Sequence, residues 1–294
     1  MSEVALSSPP AAAATAVRSK KRDGYALLMG ITSGWLLLWF VLPIILMAVR
    51  FVGDGEFWSA DPVGSLIGPL YLRVFVNTLE VAVVVTLGCL IVGYPVAYYL
   101  TTVPRRLFNF LILLVLFPMW VNIVVRTYAL LVMLGRNGIV NNAMVEVGLV
   151  EQPLRMMYTS GAVYVGMIQV LLPYMILTLF GAIKGIDRSL FTAGRSLGAP
   201  QYQVFLRVLL PLSMPGVWGG VLLVFVFALG FYVTPAIIGG PTGVMIAQLI
   251  DEQANDFGNF AEATMLGLLL LLLTVAILVL YDRLFGLDRL WGRT

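Results

Sequence analysis

Apolar residues come in six long runs, near residues 25–49, 74–100, 107–134, 158–183, 213–239 and 263–281, divided by short polar or charged stretches. Each run is long enough to cross a bilayer, which takes about 20 mostly apolar residues. Each is predicted to be helical, because an open strand in hydrocarbon leaves its backbone groups unpaired. The pattern therefore predicts an all-α integral membrane protein with six spans. Pro43, Pro95, Pro118, Pro173 and Pro235 interrupt the runs. Proline lacks an N–H and kinks a helix, yet such kinks are tolerated in spans whose neighbours satisfy the freed groups. No internal repeat is evident.

The chain divides into three parts. Residues 1–22 are rich in Ala, Ser and Pro and end in Arg18-Ser-Lys-Lys-Arg22. They read as a disordered cytoplasmic tail with a basic anchor. No apolar core precedes a small-residue cleavage site, so the pattern is not that of a cleaved signal peptide. Residues 23–285 form the six-span domain, with a polar loop at about 184–211. Residues 286–294 are a short cytoplasmic tail.

Charge fixes the expected orientation. With the N-terminus inside, one side holds Arg18, Lys20, Lys21, Arg22, Arg105, Arg106, Lys184, Arg188, Arg195, Arg207, Arg283, Arg289 and Arg293. The other holds Arg50, Arg73, Arg136 and Arg155. Basic residues concentrate on the cytoplasmic side of membrane proteins, so both termini and the 184–211 loop are expected there. The outer segments carry Asp54, Glu56, Asp61, Glu146, Glu151, Asp251, Glu252 and Asp256. They read either as acids standing where basic residues are excluded, or as an acidic vestibule for a cation or a docking protein.

Composition narrows the chemistry. The 294 residues are 60% hydrophobic and 11% charged, whereas a soluble domain carries roughly a quarter charged residues. There is no His, and Cys89 is the one Cys. His-based catalysis, a His/Cys metal site and an intrachain disulfide are thereby excluded. The lysines are Lys20, Lys21 and Lys184, and none lies in a Gly-rich phosphate loop, so the chain is not its own P-loop ATPase. The net charge of +3 is a topology signal rather than one for nucleic acid.

The loop from Thr192 to Pro211 is the most informative polar stretch. Ala193 and Gly194 are followed by three residues, Gly198, nine residues, Val208, one residue, and Leu210-Pro211. Leu190, Phe191, Ala193 and Leu197 predict a short amphipathic helix. Gly198-Ala199-Pro200 breaks it, since glycine is permissive and proline suits a first helical turn. A second short helix, about 200–206, is predicted to present Tyr202 and Phe205. Pro211 and Pro215 mark the turn into the fifth span. The spacing resembles the cytoplasmic signature loop of ABC importer permeases, Glu-Ala-Ala, three residues, Gly, nine residues, Ile-x-Leu-Pro, with Thr192 in place of the usual Glu.

The resemblance extends over about residues 25–285. Pro118-Met-Trp-Val-Asn-Ile-Val-Val-Arg-Thr-Tyr128 is similar to the Pro-x-Trp…Arg-x-Tyr stretch of spermidine/putrescine-type permeases. Asn77-Thr-Leu79, Gly135-Arg-Asn-Gly-Ile-Val-Asn-Asn142, Pro211-Leu-Ser-Met-Pro-Gly-Val217 and Tyr232-Val-Thr-Pro-Ala-Ile-Ile-Gly-Gly-Pro241 fit the same group. The resemblance implies the six-helix fold of a type I ABC importer permease in a bacterial inner membrane. It implies a second, different permease subunit, two copies of a cytoplasmic ABC ATPase that carry the ATP and Mg, and an external solute-binding protein. This chain would hold no cofactor or metal. Thr192, Ala193, Gly194, Arg195, Gly198, Ala199, Tyr202, Phe205, Leu210 and Pro211 would form the ATPase-coupling loop. Polyamine is the implied solute, although relatives with similar motifs carry iron, opines or phosphonates.

Ionisable residues in spans usually face a bundle interior or a watery path. Glu80, Arg126 and Glu262 lie in or at the edge of spans. Glu80 reads as an ammonium ligand, a partner of Arg126, or an interfacial residue. Arg126 reads as structural, pairing with a carboxylate or capping carbonyls, or as a ligand if the solute is anionic. Trp120, Asn122 and Tyr128 could line the path, since aromatic faces attract cations, or they could simply pack. Gln169, Tyr174 and Tyr232 are of the same kind. Asp251, Glu252 and Asp256 read as an outer gate or a binding-protein contact. A motor-independent secondary transporter explains the hydropathy but not the loop, and such folds often show inverted repeats.

Overall fold

The computed structural model describes residues 29–46, 49, 68–187, 189–240 and 243–285. The predicted tails at 1–22 and 286–294, together with Arg50, Asp54, Glu56, Asp61 and Arg188, lie outside the described residues. The chain forms two compact units, Met1–Ala60 and Asp61–Thr294. In the first, α1 (Met29–Leu46) is long and apolar enough to span a membrane and buries none of its own window. Trp35 and Trp39, one turn apart, meet edge to face at 5.9 Å.

The second unit begins with α2 (Pro69–Thr102), α3 (Arg105–Trp120), α4 (Ile123–Leu134), α5 (Ile139–Glu146), α6 (Ser160–Lys184) and α7 (Ser189–Ser196). A long helix, α8 (Gln201–Leu229), follows. The unit closes with α9 (Val233–Ile238), α10 (Ile246–Asp251) and α11 (Phe260–Phe285). No strand occurs among the described residues.

α2, α6 and α8 pack against one another and form the core. α6 places Val163, Met167, Val170, Ile176, Leu179 and Ile183 on its buried faces. α2 answers with Val81, Ala82, Val85, Cys89 and Ala97. Most of these residues recur at spacings of three and four, the helical repeat. Small residues set how closely the helices cross: a Cβ at Gly216 of α8 would overlap that of Ala182 on α6. Close approach of this kind drives helix association in lipid, where burial of apolar surface gains little. The Cys89 thiol is sealed in this core and faces the carbonyl of Ile168.

Two predicted boundaries are corrected. The third apolar run, 107–134, is not one helix: it stops at Trp120 and restarts at Ile123. Pro118 supplies no N–H to the last turn of α3, while its carbonyl accepts from Val121 N. The Asn122 side chain then caps α4 by accepting from Val124 N at 2.8 Å. The stretch of spanning length and apolarity here is Ile123–Glu146, which takes in α4, a short turn and α5.

The second correction concerns the loop. The predicted short helix at 200–206 and the turn at Pro211 and Pro215 do not exist as such. Gln201–Val204 continues through a π-helical turn, Phe205–Leu209, straight into Leu210–Leu229. In the π turn Leu210 N donates to Phe205 O, five residues back. Pro211 falls in the first turn of the α-helical segment that follows, and Pro215 lies within that segment. The true interhelical loop shrinks to the residues around α7, and α8 stops at Leu229 rather than reaching 239.

Candidate functional site

The loop end is built from the C-termini of α2 and α6, from α7, and from the start of α8. Asp187 opens α7: its Oδ1 accepts from Ser189 N at 2.9 Å. That backbone hydrogen bond, assisted by the Ser189 hydroxyl, holds the exposed carboxyl below its ordinary range. Gly198 closes α7 with φ +77°, donating to Arg195 O. This is the left-handed position that favours glycine at a helix end, and it gives the glycine of the loop pattern a physical reason.

The predicted coupling residues separate into two sets. Leu190, Ala193 and Leu197 form an exposed row on α7, with Leu197 88% exposed. Tyr202 is also exposed. Thr192 and Arg195 instead line a cavity of about 330 Å3 under α7, shared with Tyr98, Thr101, Thr102, Lys184 and Phe191. Lys184 lies over the rings of Phe108 and Phe180, which stack at 5.3 Å. Gly194 lets Val204 approach, since a Cβ there would sit 3.2 Å from it. Ala199 donates back to Gly194 O.

Phe205 is a correction. The sequence predicts that it is presented outward with Tyr202, and it faces inward. Its ring meets Tyr94 and Tyr98 of α2 edge to face, at 5.9 and 5.6 Å. The Tyr94 hydroxyl shares a 2.9 Å hydrogen bond with Ser213 Oγ, further along α8. Leu210 and Pro211 likewise belong to α8 and not to the loop. Sequence reasoning passed over Tyr94, Tyr98 and Ser213; their one signal was the i, i+4 aromatic pair, which is common in spans.

A second cavity, of about 480 Å3, opens at the break between α3 and α4. It brings together four predicted path residues, Trp120, Asn122, Arg126 and Tyr174, with Phe227 and Phe231. Tyr174 and Phe227 meet edge to face at 5.3 Å. Arg126 Nη2 donates to Val121 O at 3.3 Å, so it caps a carbonyl left free by the break. Among the described residues its buried Nε and Nη1 find no hydrogen-bond partner.

Four other predicted path residues do not join this cavity. Glu80 accepts from Tyr164 Oη at 3.1 Å, which replaces the suggested pairing with Arg126. Tyr128, Gln169 and Tyr232 are exposed and line neither cavity. Of the outer acids, Asp251 accepts from Asn255, and Glu252 and Asp256 bound a second π turn. Glu262 is part of a helix start: Asn259 Oδ1 accepts from Glu262 N, and Asn259 Nδ2 donates to Glu262 Oε2. On α2, Asn77 donates to Val244 O and Thr78 accepts from Ile246 N, each at 2.9 Å. Those two bonds tie α2 to the extended approach to α10, and nothing in the sequence signals them.

Known proteins resemble this chain over most of its length. The spermidine/putrescine transport system permease protein PotB of Escherichia coli is 32% identical over 257 residues, covering 85% of this chain and 94% of that protein. PotB of Haemophilus influenzae is 34% identical over 253 residues, covering 83% and 88%. The fold is that of a bacterial alginate ABC transporter solved with a pentasaccharide-bound periplasmic protein: TM-score 0.70 at 18% identity, over 94% of this chain and 98% of that one. The family model for the binding-protein-dependent transport system inner membrane component matches residues 90–287. With its six spans and signature-like loop, the chain belongs to that family and is the permease subunit of an ABC importer.

Proposed function

We propose that this chain is one of two different membrane subunits of an importer for linear polyamines such as spermidine or putrescine. The observation that carries the reading is the 32–34% identity to polyamine permeases over more than four-fifths of the chain. Two ATPase subunits hold the ATP and Mg, an external protein delivers solute, and this chain makes and breaks no bonds. The excess of basic residues at the loop end, Arg105, Arg106, Lys184, Arg195 and Arg207 among them, supports a cytoplasmic position for α7. ATP binding draws the two motors together and displaces α7, whose exposed row Leu190, Ala193 and Leu197 is the docking surface. The packed helices then move as bodies, and differential binding of partners to the two states gives direction.

The aromatic walls of the larger cavity, Trp120, Tyr174, Phe227 and Phe231, suit an ammonium. Arg126 does not. A second positive charge about 4 Å away meets a repulsion of about 4 kcal/mol at an effective dielectric of about 20. The polyamine is therefore held against the rings, away from the guanidinium. Arg126 also motivates a second reading, in which the solute bears a carboxylate or phosphonate. Uptake of labelled spermidine and putrescine by cells with and without this chain separates the two. Polyamine uptake lost with the chain supports the first. Unchanged polyamine uptake, with loss of an anionic solute, replaces it with the second.

A further inference from the structure

We propose that Phe205 is a positioning residue for transport, the point at which displacement of α7 is applied to α2. This rests on the importer reading above and adds the route by which the motor's movement enters the membrane domain.

The geometry is a clasp between two helices. The turn at 197–200 leads straight into α8, which starts at Gln201 and stays helical to Leu229. α7 bears on α8 at Val204, through the space that Gly194 leaves. The next residue is Phe205, whose ring is held edge to face by Tyr94 and Tyr98, one turn apart on α2. Eight residues along, Ser213 meets the Tyr94 hydroxyl. α8 is therefore attached to α2 at two levels, and the π turn Phe205–Leu209 lies between them. Such turns hold one residue more than an α turn and recur at functional positions.

Ordinary core packing would look different. Core side chains are enclosed on all sides, whereas Phe205, Tyr94 and Tyr98 are each only half-buried. Tyr98 also borders the 330 Å3 cavity under α7, so its ring has space to move into when α7 is displaced. A push on Phe205 is therefore passed to two rings of α2, and Tyr98, which borders the cavity, can yield into it while Tyr94 stays tied to Ser213.

The test uses the whole transporter, purified with its ATPase and reconstituted in vesicles with its binding protein. ATP hydrolysis is measured with and without solute-loaded binding protein, and solute uptake is counted per ATP consumed. Phe205→Leu keeps apolar volume and removes the ring; Phe205→Tyr keeps the ring. The Leu variant is expected to assemble and to lose roughly five- to tenfold in stimulated over basal hydrolysis, with uptake per ATP falling alongside. The Tyr variant is expected to restore both. Should Phe205→Leu fail to assemble, Tyr98→Leu, which leaves α8 intact, is expected to show the same split. A Leu variant with wild-type stimulation overturns the clasp and leaves the importer reading standing. A wild-type complex whose hydrolysis ignores the loaded binding protein overturns both.

Discussion

α6 and α3 are both apolar helices of the same unit, yet only one of them is enclosed. α6 carries eleven buried residues; α3 carries none. Small residues help to separate them. The surfaces that meet α6 include Gly88, Gly93, Gly216 and Gly220, and a Cβ at any of them would crowd an α6 side chain. α3 has no Gly or Ala, and presents Phe110, Leu113, Leu114 and Phe117 outward. In lipid the gain from helix contact comes from close fit rather than from removing apolar surface from water. A helix without small residues meets its neighbours less closely: among the described residues α3 touches α6 through the stacked rings of Phe108 and Phe180 and leaves its opposite face uncovered.

The sharpest way to break this contrast is to cut into the enclosed helix. Leu179→Ala removes a fully buried α6 side chain and is expected to destabilise the folded subunit by about 2–5 kcal/mol. Thermal unfolding in detergent measures it, and a loss under about 1 kcal/mol would show α6 to be loosely packed after all. Arg126→Met removes the guanidinium whose Nη2 caps Val121 O at the α3–α4 break and is expected to destabilise by about 1–2 kcal/mol. An unchanged or raised melting temperature would show that burying Nε and Nη1 costs as much as that cap contributes.

Leu114→Ala on α3 is expected to shift the melting temperature of the isolated subunit by no more than about 0.5 kcal/mol in equivalent free energy. A large loss in the isolated subunit would enclose α3 and erase the contrast. The smallest effect belongs to Asp187. Its carboxyl lies below the ordinary value when folded, so the cap it makes on α7 is fully present above that ordinary value. The cap weakens only as pH falls through the lower, folded value. Hydrogen exchange of α7 amides, corrected for intrinsic rate, should therefore stay flat above about pH 5. A change near neutral pH would point to a different group.

The apolar runs revealed the six-span architecture, and the glycine spacing revealed α7 and its turn, because both depend on residue types whose physics is local. The break at Val121–Asn122 was hidden: Pro95 and Pro173 sit in unbroken helices, and Pro118 looks the same in sequence. What differs is Asn122, a side chain able to cap a new helix inside an apolar run. The inward turn of Phe205 was hidden for another reason. The sequence marks 200–206 as a separate loop helix, whereas Gln201–Leu229 is one continuous helix packed on α2, and that tertiary contact sets which way Phe205 faces. The gathering of Trp120, Asn122, Arg126 and Tyr174 in one cavity was half legible. Three come from one motif, but Tyr174 arrives from α6 by tertiary packing.

Cys89 bears on how all of this can be watched. It is the one thiol in the chain, and it is sealed among α2 and α6. The native protein is in effect a blank background for sulfhydryl chemistry. A cysteine placed at Leu197, or at the rim of the larger cavity at Trp120, offers a reagent its one accessible target without first engineering the wild-type residue away. Spin labels and fluorophores can then report opening and closing in the natural core.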